Sequence, residues 1–277
     1  MEIPAETDLT AAGAGVYFDE LPLWSAPFGR MLLDATPVGR DLAILDVGTG
    51  TGFVAIELAE RCGPTATVTA VDPWQGALVR LRDKLDFLGI GNVEVVEGDA
   101  AVVDLADASF DVIVTNLGIH NFERPRQVLE RCWRLARPGA TLVATTNLTG
   151  HMQELYDAYR LALEDLDLAA ALPGLDAEVR RRGTVASISS LLAAAGFEVR
   201  RVDEDRFRLR FASGEAVLRH HLIRCGFLAA WKAIVAPDEV ASVFSRLVFH
   251  LDEVARRRGE IVLTIPMACF SATRGDR

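Results

Sequence analysis

"ILDVGTGTGFVAIELAE", residues 44–60, decides the fold. An apolar run reaches an acid, Asp46. Three glycines, Gly48, Gly50 and Gly52, then alternate with Thr49 and Thr51, and an apolar-periodic segment begins at Phe53. A glycine-rich turn between a buried strand and a helix lets backbone N–H groups approach a nucleotide-like ligand. Spacing excludes two familiar versions of it. The dinucleotide fingerprint G-x-G-x-x-G needs a third glycine where Phe53 stands, and no Gly-Lys-Ser/Thr of a P-loop follows. Asp46 would repel a pyrophosphate and favours a ligand carrying positive charge.

Working outward, "LAILDV", "ATVTAVD", "VEVVEGD", "FDVIVTN" and "ATLVATTN" predict five strands. Between them lie three predicted helices. "FVAIELAERCG" stops at Gly63-Pro64, "WQGALVRLRDKLDFLG" is closed by Gly89, and "PRQVLERCWRLARPG" ends at Pro138-Gly139. This alternation implies parallel βαβ units in a doubly wound sheet. The rhythm breaks at residue 147. Residues 147–183 read as a helical insertion, "SISSLLAAAGFEVRRVD" restores a helix, a stop at Gly196 and a sixth strand, and 205–258 read as a second insertion. Within it "RFRLRF" predicts a separate strand with one wet face. "EIVLTIPMACFSA" is the last strand. Before the core, "YFDELPLWSAPFGRMLLDA" (17–35) predicts a helix capped by Asp19, starting near Glu20 and resuming after Pro27.

The bulk properties narrow the function classes. Half of the 277 residues are hydrophobic, so a sizeable core is available. A net charge of -10 argues against a broad nucleic-acid footprint. The runs Arg180–Arg182 and Arg256–Arg258 read as solvated faces. Four cysteines without a C-x-x-C pair read as buried free thiols. No apolar run approaches the ~20 residues of a membrane span, and the first residues lack the basic start of a secretory signal. A cytoplasmic protein is expected.

The acid followed by alternating glycines resembles motif I, D/E-x-G-x-G-x-G, of the class I S-adenosylmethionine-dependent methyltransferases. That resemblance implies that Asp46, Gly48, Thr49, Gly50 and Gly52 hold the methionine part of S-adenosylmethionine. Asp72, twenty residues after Gly52, would take the ribose hydroxyls. Pro73 and Trp74 would pack on the adenine face, and Asp99 with the Ala100 backbone would meet the adenine amino group. "FDVIVTNLGIHNF" would end the fourth strand at the reactive centre, with Asn116 at the cofactor or acceptor edge. The expected fold is α/β and Rossmann-like, a doubly wound seven-stranded mostly parallel sheet with the last strand antiparallel and helical insertions after strands five and six. It is expected to form one domain over 1–277. An N-terminal helical lid (1–40) precedes a cofactor-binding core (41–146), and the two insertions form an acceptor lid. The layout is also weakly similar to malonyl-carrier-protein O-methyltransferases and to ubiquinone/menaquinone C-methyltransferases.

The acceptor is less determined. The block after strand four is not the N-P-P-Y type of amino-group methyltransferases. His120 is the candidate general base, since an unperturbed imidazole titrates at ~6.5; a pocket-shaping role is the other reading of it. Tyr17, Trp24, Asn121, His220 and His221 are candidate acceptor contacts. The adjacent His220 and His221, ~100° apart on a helix and without a third ligand, do not suggest a metal. His151 and His250 form no pattern. Apolar insertions favour a small organic acceptor, with O-methylation ahead of C- or N-methylation and the oligomeric state open. Two readings from other classes stand beside it: an NAD(P)-dependent oxidoreductase, and a non-catalytic protein that keeps the cofactor.

Overall fold

In the computed structural model, which describes residues 3–8, 10–11, 13–19 and 22–275, strand and helix alternate as the apolar runs dictate. In chain order the elements are α1 (Ala14–Asp19), α2 (Pro22–Ala35), β1 (Ala43–Val47), α3 (Phe53–Cys62), β2 (Thr67–Asp72), α4 (Gln75–Leu88) and β3 (Val93–Glu97). Then come β4 (Phe110–Asn116), α5 (Pro125–Leu135), β5 (Ala136–Asn147), α6 (Gln153–Asp165), α7 (Leu172–Arg180), α8 (Val185–Ala195) and β6 (Phe197–Phe211). The chain closes with α9 (Gly214–Arg219), α10 (His221–Gly226), α11 (Leu228–Lys232), α12 (Val240–Arg258) and β7 (Ile261–Arg274).

The seven strands form one sheet in the order β3-β2-β1-β4-β5-β7-β6. Pairing is parallel from β3 through β5, and β7 runs antiparallel to β6. The chain leaves β1 towards β2 and leaves β4 in the other direction, towards β5. Right-handed crossovers in opposite directions put their helices on opposite faces of the sheet. Accordingly Ile44, Val68, Ala70, Val112, Val114 and Val143 form one cluster with Leu32, Leu58, Leu78 and Leu81 from α2, α3 and α4. The helices α5 and α8 pack on each other. The point where strand order reverses lies between β1 and β4, and the crevice outside the carboxyl ends there is where sheets of this kind bind ligands.

Contacts divide the chain into two compact units. The core unit comprises Thr10–Thr146, Thr184–Asp205 and Met267–Arg277; the helical unit comprises Met1–Leu9, Asn147–Gly183 and Arg206–Pro266. In the helical unit α12 lies along α6, with Tyr159 and Phe244 edge to face at 5.8 Å. There the Tyr159 hydroxyl donates to the Trp231 carbonyl at 2.8 Å, and Trp231 Nε1 donates to the Tyr156 hydroxyl at 3.2 Å. These bonds let bulky aromatic groups with polar tips be fully buried.

Several local expectations change. Asp19 is not a helix cap but the last residue of α1, and α2 runs straight through Pro27; Glu20 lies outside the described residues. "RFRLRF" is not a strand of its own, because β6 is continuous over fifteen residues. Pro138-Gly139 does not end α5, which stops at Leu135, but lies within β5. Arg182 is not solvated: it is bonded to the buried Glu178 and lies 5.6 Å from the Phe227 ring centroid. Cys62, Cys132 and Cys269 are buried free thiols, whereas Cys225 is half-buried.

Gly52 caps α3 in the left-handed region at φ 84°, and a Cβ there would stand 2.1 Å from Leu81 Cδ1. Gly52→Ala is therefore expected to cost about 2–4 kcal/mol, from backbone strain plus a clash with a fully buried leucine. Urea unfolding checks this; a change below about 0.5 kcal/mol would contradict the tight packing of the turn on α4.

Candidate active site

The glycine turn follows β1, and its first two amides are tied to the neighbouring strand. Gly48 N–H and Thr49 N–H both donate to the Val71 carbonyl, at 2.8 and 3.1 Å. Two carboxylates fasten it further. Thr49 Oγ1 donates to Asp46 Oδ2 at 2.7 Å, and Gly50 N–H donates to Asp72 Oδ2 at 2.8 Å. The other oxygen of Asp72 accepts the Trp74 N–H at 2.8 Å. An ionised carboxylate offers about four acceptor sites, so Asp72 keeps one free on each oxygen. A vicinal pair of ribose hydroxyls fits that donor demand.

Both acids are buried. Asp46 is 1% exposed, and burial pushes its carboxyl up to about 7; the Thr49 hydroxyl opposes this, the nearby Asp72 adds to it, and the Ala55 N–H opposes it. Burial likewise raises Asp72, outweighing the amides of Trp74 and Gly50. Asp99 behaves differently. It is half exposed, and the Ala101 N–H and the Arg124 guanidinium hold it below the usual carboxylate range. Each oxygen of Asp99 thus already has one partner, and Ala100 beside it is buried.

Trp74 is the residue before α4, half-buried, with its ring met edge-on by Phe18 of α1 at 5.3 Å; Pro73 is exposed. Helix α1 can lie this close because Gly15 faces the Gly76 carbonyl, where a Cβ would come within 2.3 Å. Its last residue, Asp19, accepts from Thr51 Oγ1 of the turn at 2.8 Å, and pairs with Lys84 at 2.9 Å and Arg80 at 3.1 Å. Burial works against this carboxylate's charge, but Lys84, Thr51 and Arg80 together hold it below its ordinary range. Tyr17 is half-buried on the same helix; Trp24, on α2, meets Phe28 edge-on at 5.5 Å.

At the end of β4, Asn116 uses both sides of its amide. Its oxygen accepts from Thr145 Oγ1 at 2.6 Å and its Nδ2 donates to the Ser25 carbonyl at 3.3 Å. Leu117 follows at φ 63°, a conformation costly for a branched residue. Its N–H is bonded to the Thr145 carbonyl at 3.1 Å. His120 stands half-buried in the turn that closes at Asn121, whose N–H donates to the Gly118 carbonyl at 2.8 Å. The Phe122 ring lies beside Gly48 and Gly118.

The core unit therefore gathers Tyr17, Trp24, the glycine turn, Asp46, Asp72, Trp74, Asp99, Asn116, His120 and Asn121 at one end of the sheet or on the helices that cover it. His220 and His221 belong to the helical unit. The ~100° helical separation expected for them does not hold, because His220 is the non-helical residue between α9 and α10. His220 stands edge-on to Phe211 at 5.3 Å, and burial, with His221 beside it, lowers its basicity. As site residues Asp19, Arg124 and Thr145 carry no sequence signal of their own. Only the covariance of distant positions would reveal them, since Asp19 meets its partners 32 to 65 positions away.

A parallel sheet with its switch point at a G-x-G-x-G turn, an acid closing β1 and a second acid closing β2 define a nucleoside-binding enzyme fold for a ligand bearing positive charge. The comparisons with known proteins give the class. A methyltransferase-domain family matches residues 44–139. Nocamycin O-methyltransferase of Saccharothrix syringae is 30% identical over 265 residues, 92% of this chain and 93% of its own. The ubiquinone/menaquinone biosynthesis C-methyltransferase of Escherichia fergusonii is 27% identical over 181 residues, 61% of this chain and 71% of its own. The crystal structure of an S-adenosylmethionine-dependent methyltransferase from Aquifex aeolicus shares the fold, with a TM-score of 0.54, 21% identity, and 71% of this chain and 92% of that one covered. The chain belongs to the S-adenosylmethionine-dependent methyltransferases of class I, and S-adenosylmethionine is its cofactor. The oxidoreductase alternative is thereby set aside.

Two outcomes test the site. Asp72→Ala should weaken S-adenosylmethionine binding by roughly 1–3 kcal/mol, the worth of a hydrogen bond to a charged group; calorimetry showing unchanged affinity would remove Asp72 from the ribose. The second concerns stability. A carboxyl raised to about 7 in the folded chain contributes stability that is complete below its unfolded value near 3.8 and is lost as pH rises through about 7. Asp46→Asn carries no such charge. Its stability relative to the parent should therefore grow by about 3 kcal/mol between about pH 5 and about pH 8, and a pH-independent difference in denaturant midpoints would contradict the burial of an ionisable Asp46.

Proposed function

We propose that the protein transfers the methyl group of S-adenosylmethionine to an oxygen of a small organic acceptor. The observation that carries this reading is coverage. The likeness to nocamycin O-methyltransferase spans 92% of the chain, which leaves too few residues outside it to omit the helical unit. The likeness to the C-methyltransferase spans 61%. The part of the chain beyond the shared cofactor-binding fold thus has its relative among O-methyltransferases. The helical unit serves as the acceptor-recognising part.

S-adenosylmethionine supplies an activated methyl on a sulfonium. The chain's own residues fix where it lies. Asp72 orients the ribose through its two free acceptor sites, Trp74 offers a ring to the adenine, and Asp99 takes the adenine amino group beside its bonds to Ala101 and Arg124. The turn from Gly48 to Gly52 brings backbone close to the methionine part, with Asp46 beneath it. Asn116, locked by Thr145 and Ser25, holds the end of β4 rigid. His120 in the next turn removes the hydroxyl proton of the acceptor. Tyr17, Trp24 and Asn121 border the acceptor.

A panel of phenols, enols and carboxylic acids, incubated with S-adenosylmethionine labelled with carbon-13 in its methyl group, tests the reading. The label should appear as a methyl ether or ester by NMR, and its appearance on carbon or nitrogen instead would overturn O-methylation. With an accepted phenol or enol, His120→Ala should cut turnover by ~10²-fold or more and abolish the acidic limb of the pH–rate profile. Near-normal turnover would leave His120 only a shaping role.

A further inference from the structure

The turn that leaves β4 carries two local costs. Leu117 stands at φ 63°, in the left-handed region that side chains other than those of Asn and Asp rarely enter. Two residues earlier, Thr115 is 2% exposed, and its hydroxyl has no hydrogen-bond partner among the described residues. A buried hydroxyl left unpaired forfeits the bonds it makes to water. Packing is the cause. A Cβ on Gly118 would stand 2.2 Å from Thr115 Oγ1 and 2.6 Å from Phe122 Cζ, so backbone and ring close over the hydroxyl. The same ring faces the glycine turn, where a Cβ on Gly48 would lie 3.6 Å from Phe122 Cε1 and 4.0 Å from Gly118 Cα. Residues 118–122 hold together as one body. The N–H groups of Asn121 and Phe122 donate to the Gly118 carbonyl at 2.8 and 3.0 Å, and Asn121 Nδ2 donates to the Leu117 carbonyl at 3.0 Å. The Leu117 N–H belongs to the other side, bonded to the Thr145 carbonyl at 3.1 Å. Rotation about the N–Cα bond of Leu117 therefore carries 118–122 as a unit and leaves that bond in place. Strain of this kind persists at ligand clamps and switch regions.

We propose that residues 117–122 form a clasp hinged at Leu117, open in the free protein and closed on the glycine turn when the cofactor is bound. The closed position is the one in which Phe122 and Gly118 stand against Gly48. In the open position Leu117 returns to a negative φ and the Thr115 hydroxyl reaches water. Opening thus removes both costs and gives up the contacts at Gly48. A ligand lying along the glycine turn adds contacts to the closed position, and it shifts the equilibrium by the difference in its affinity for the two positions. His120 lies within the moving body, so closure also sets the candidate base. The proposal rests on the cofactor binding at the glycine turn, as in the reading of function above.

Two variants drive the clasp in opposite directions, and neither test needs the methyl acceptor. Thr115→Val keeps the branched shape and removes the buried hydroxyl, which favours closure. Gly118→Ala sets a Cβ against Thr115 Oγ1 and Phe122 Cζ, which opposes it. By calorimetry, Thr115→Val should bind S-adenosylhomocysteine about threefold or more tightly than the parent, and Gly118→Ala about tenfold or more weakly. The carbon-13 shifts of Leu117 Cα and Cβ follow its backbone angles and report the hinge by NMR. In the parent they should move from values of negative φ to values of positive φ as S-adenosylhomocysteine is added. In the ligand-free protein Thr115→Val should displace them towards the bound values, and Gly118→Ala should not. Leu117 shifts that ignore the ligand, or a Thr115→Val variant that binds no more tightly than the parent, overturn the proposal. Should Gly118→Ala fail to fold, those two measurements decide alone. Unchanged S-adenosylmethionine affinity in Asp72→Ala would remove the cofactor from this turn and overturn closure by the cofactor. The ligand-free shifts of Thr115→Val, which do not depend on that placing, separate this outcome from failure of the hinge.

Discussion

One constraint governs the site: two adjacent parallel strands each end in a buried carboxylate, and a five-residue turn must pass over both. Asp46 and Asp72 lie at the carboxyl ends of β1 and β2, whose register pairs Asp46 with Ala70 and Val47 with Val71. The turn meets these acids with whatever donors it has, the Thr49 hydroxyl and the Gly50 amide. Positive φ at Gly48, Gly50 and Gly52, and the buried leucine behind Gly52, leave glycine as the residue that fits. The motif is thus less a sequence signature than the set of residues compatible with backbone passing over two buried carboxyl groups.

Much of this is legible in the sequence, and for a definite reason. Strands β1, β2 and β4 are largely apolar runs bounded by Gly, Pro, Asn or Asp, and a parallel strand buried on both faces reads that way. The spacing from Gly52 to Asp72 is the length of one helix and one strand, so local periodicity fixes both acids. The seven-stranded sheet with an antiparallel last strand is what the resemblance to class I methyltransferases implies, and the structure has it. Where the rhythm ceases, local reading fails. β6 alternates charged with apolar residues over its second half, which looks like a new element although the backbone never turns. His220 and His221 sit in an unbroken helical pattern, and the break between α9 and α10 leaves no mark such as Gly or Pro at that point.

The missed site residues share another property: their partners are far along the chain. Asp19 looks like a helix cap because an acid before an apolar run often is one. Its carboxylate instead reaches Thr51, Arg80 and Lys84. Asn116, expected at the cofactor or acceptor edge, likewise meets partners far along the chain, Thr145 and Ser25. Arg182 belongs to a basic run that pattern reading assigns to solvent, while Glu178, one helical turn earlier, draws it inwards. Periodicity reports which face of an element is apolar. It does not report which polar group another element presents to that face.

The placing of Asp19 has an energetic consequence for the whole cofactor site. A six-residue helix such as α1 is not stable alone in water, because nucleation consumes most of its hydrogen bonds. An acid at its carboxyl end opposes the helix dipole and weakens it further. What holds α1 is therefore tertiary: the Gly15–Gly76 approach, the Phe18 edge against Trp74, and the charges of Arg80 and Lys84 on Asp19. Those same contacts set the Trp74 ring and one hydroxyl of the glycine turn. The Trp74 ring and the glycine turn thus share a single clamp, and its cations sit on α4, the helix that begins beside Trp74. Loosening α1 would free the turn and the ring together, so the order of the binding site is bounded by a helix with no stability of its own.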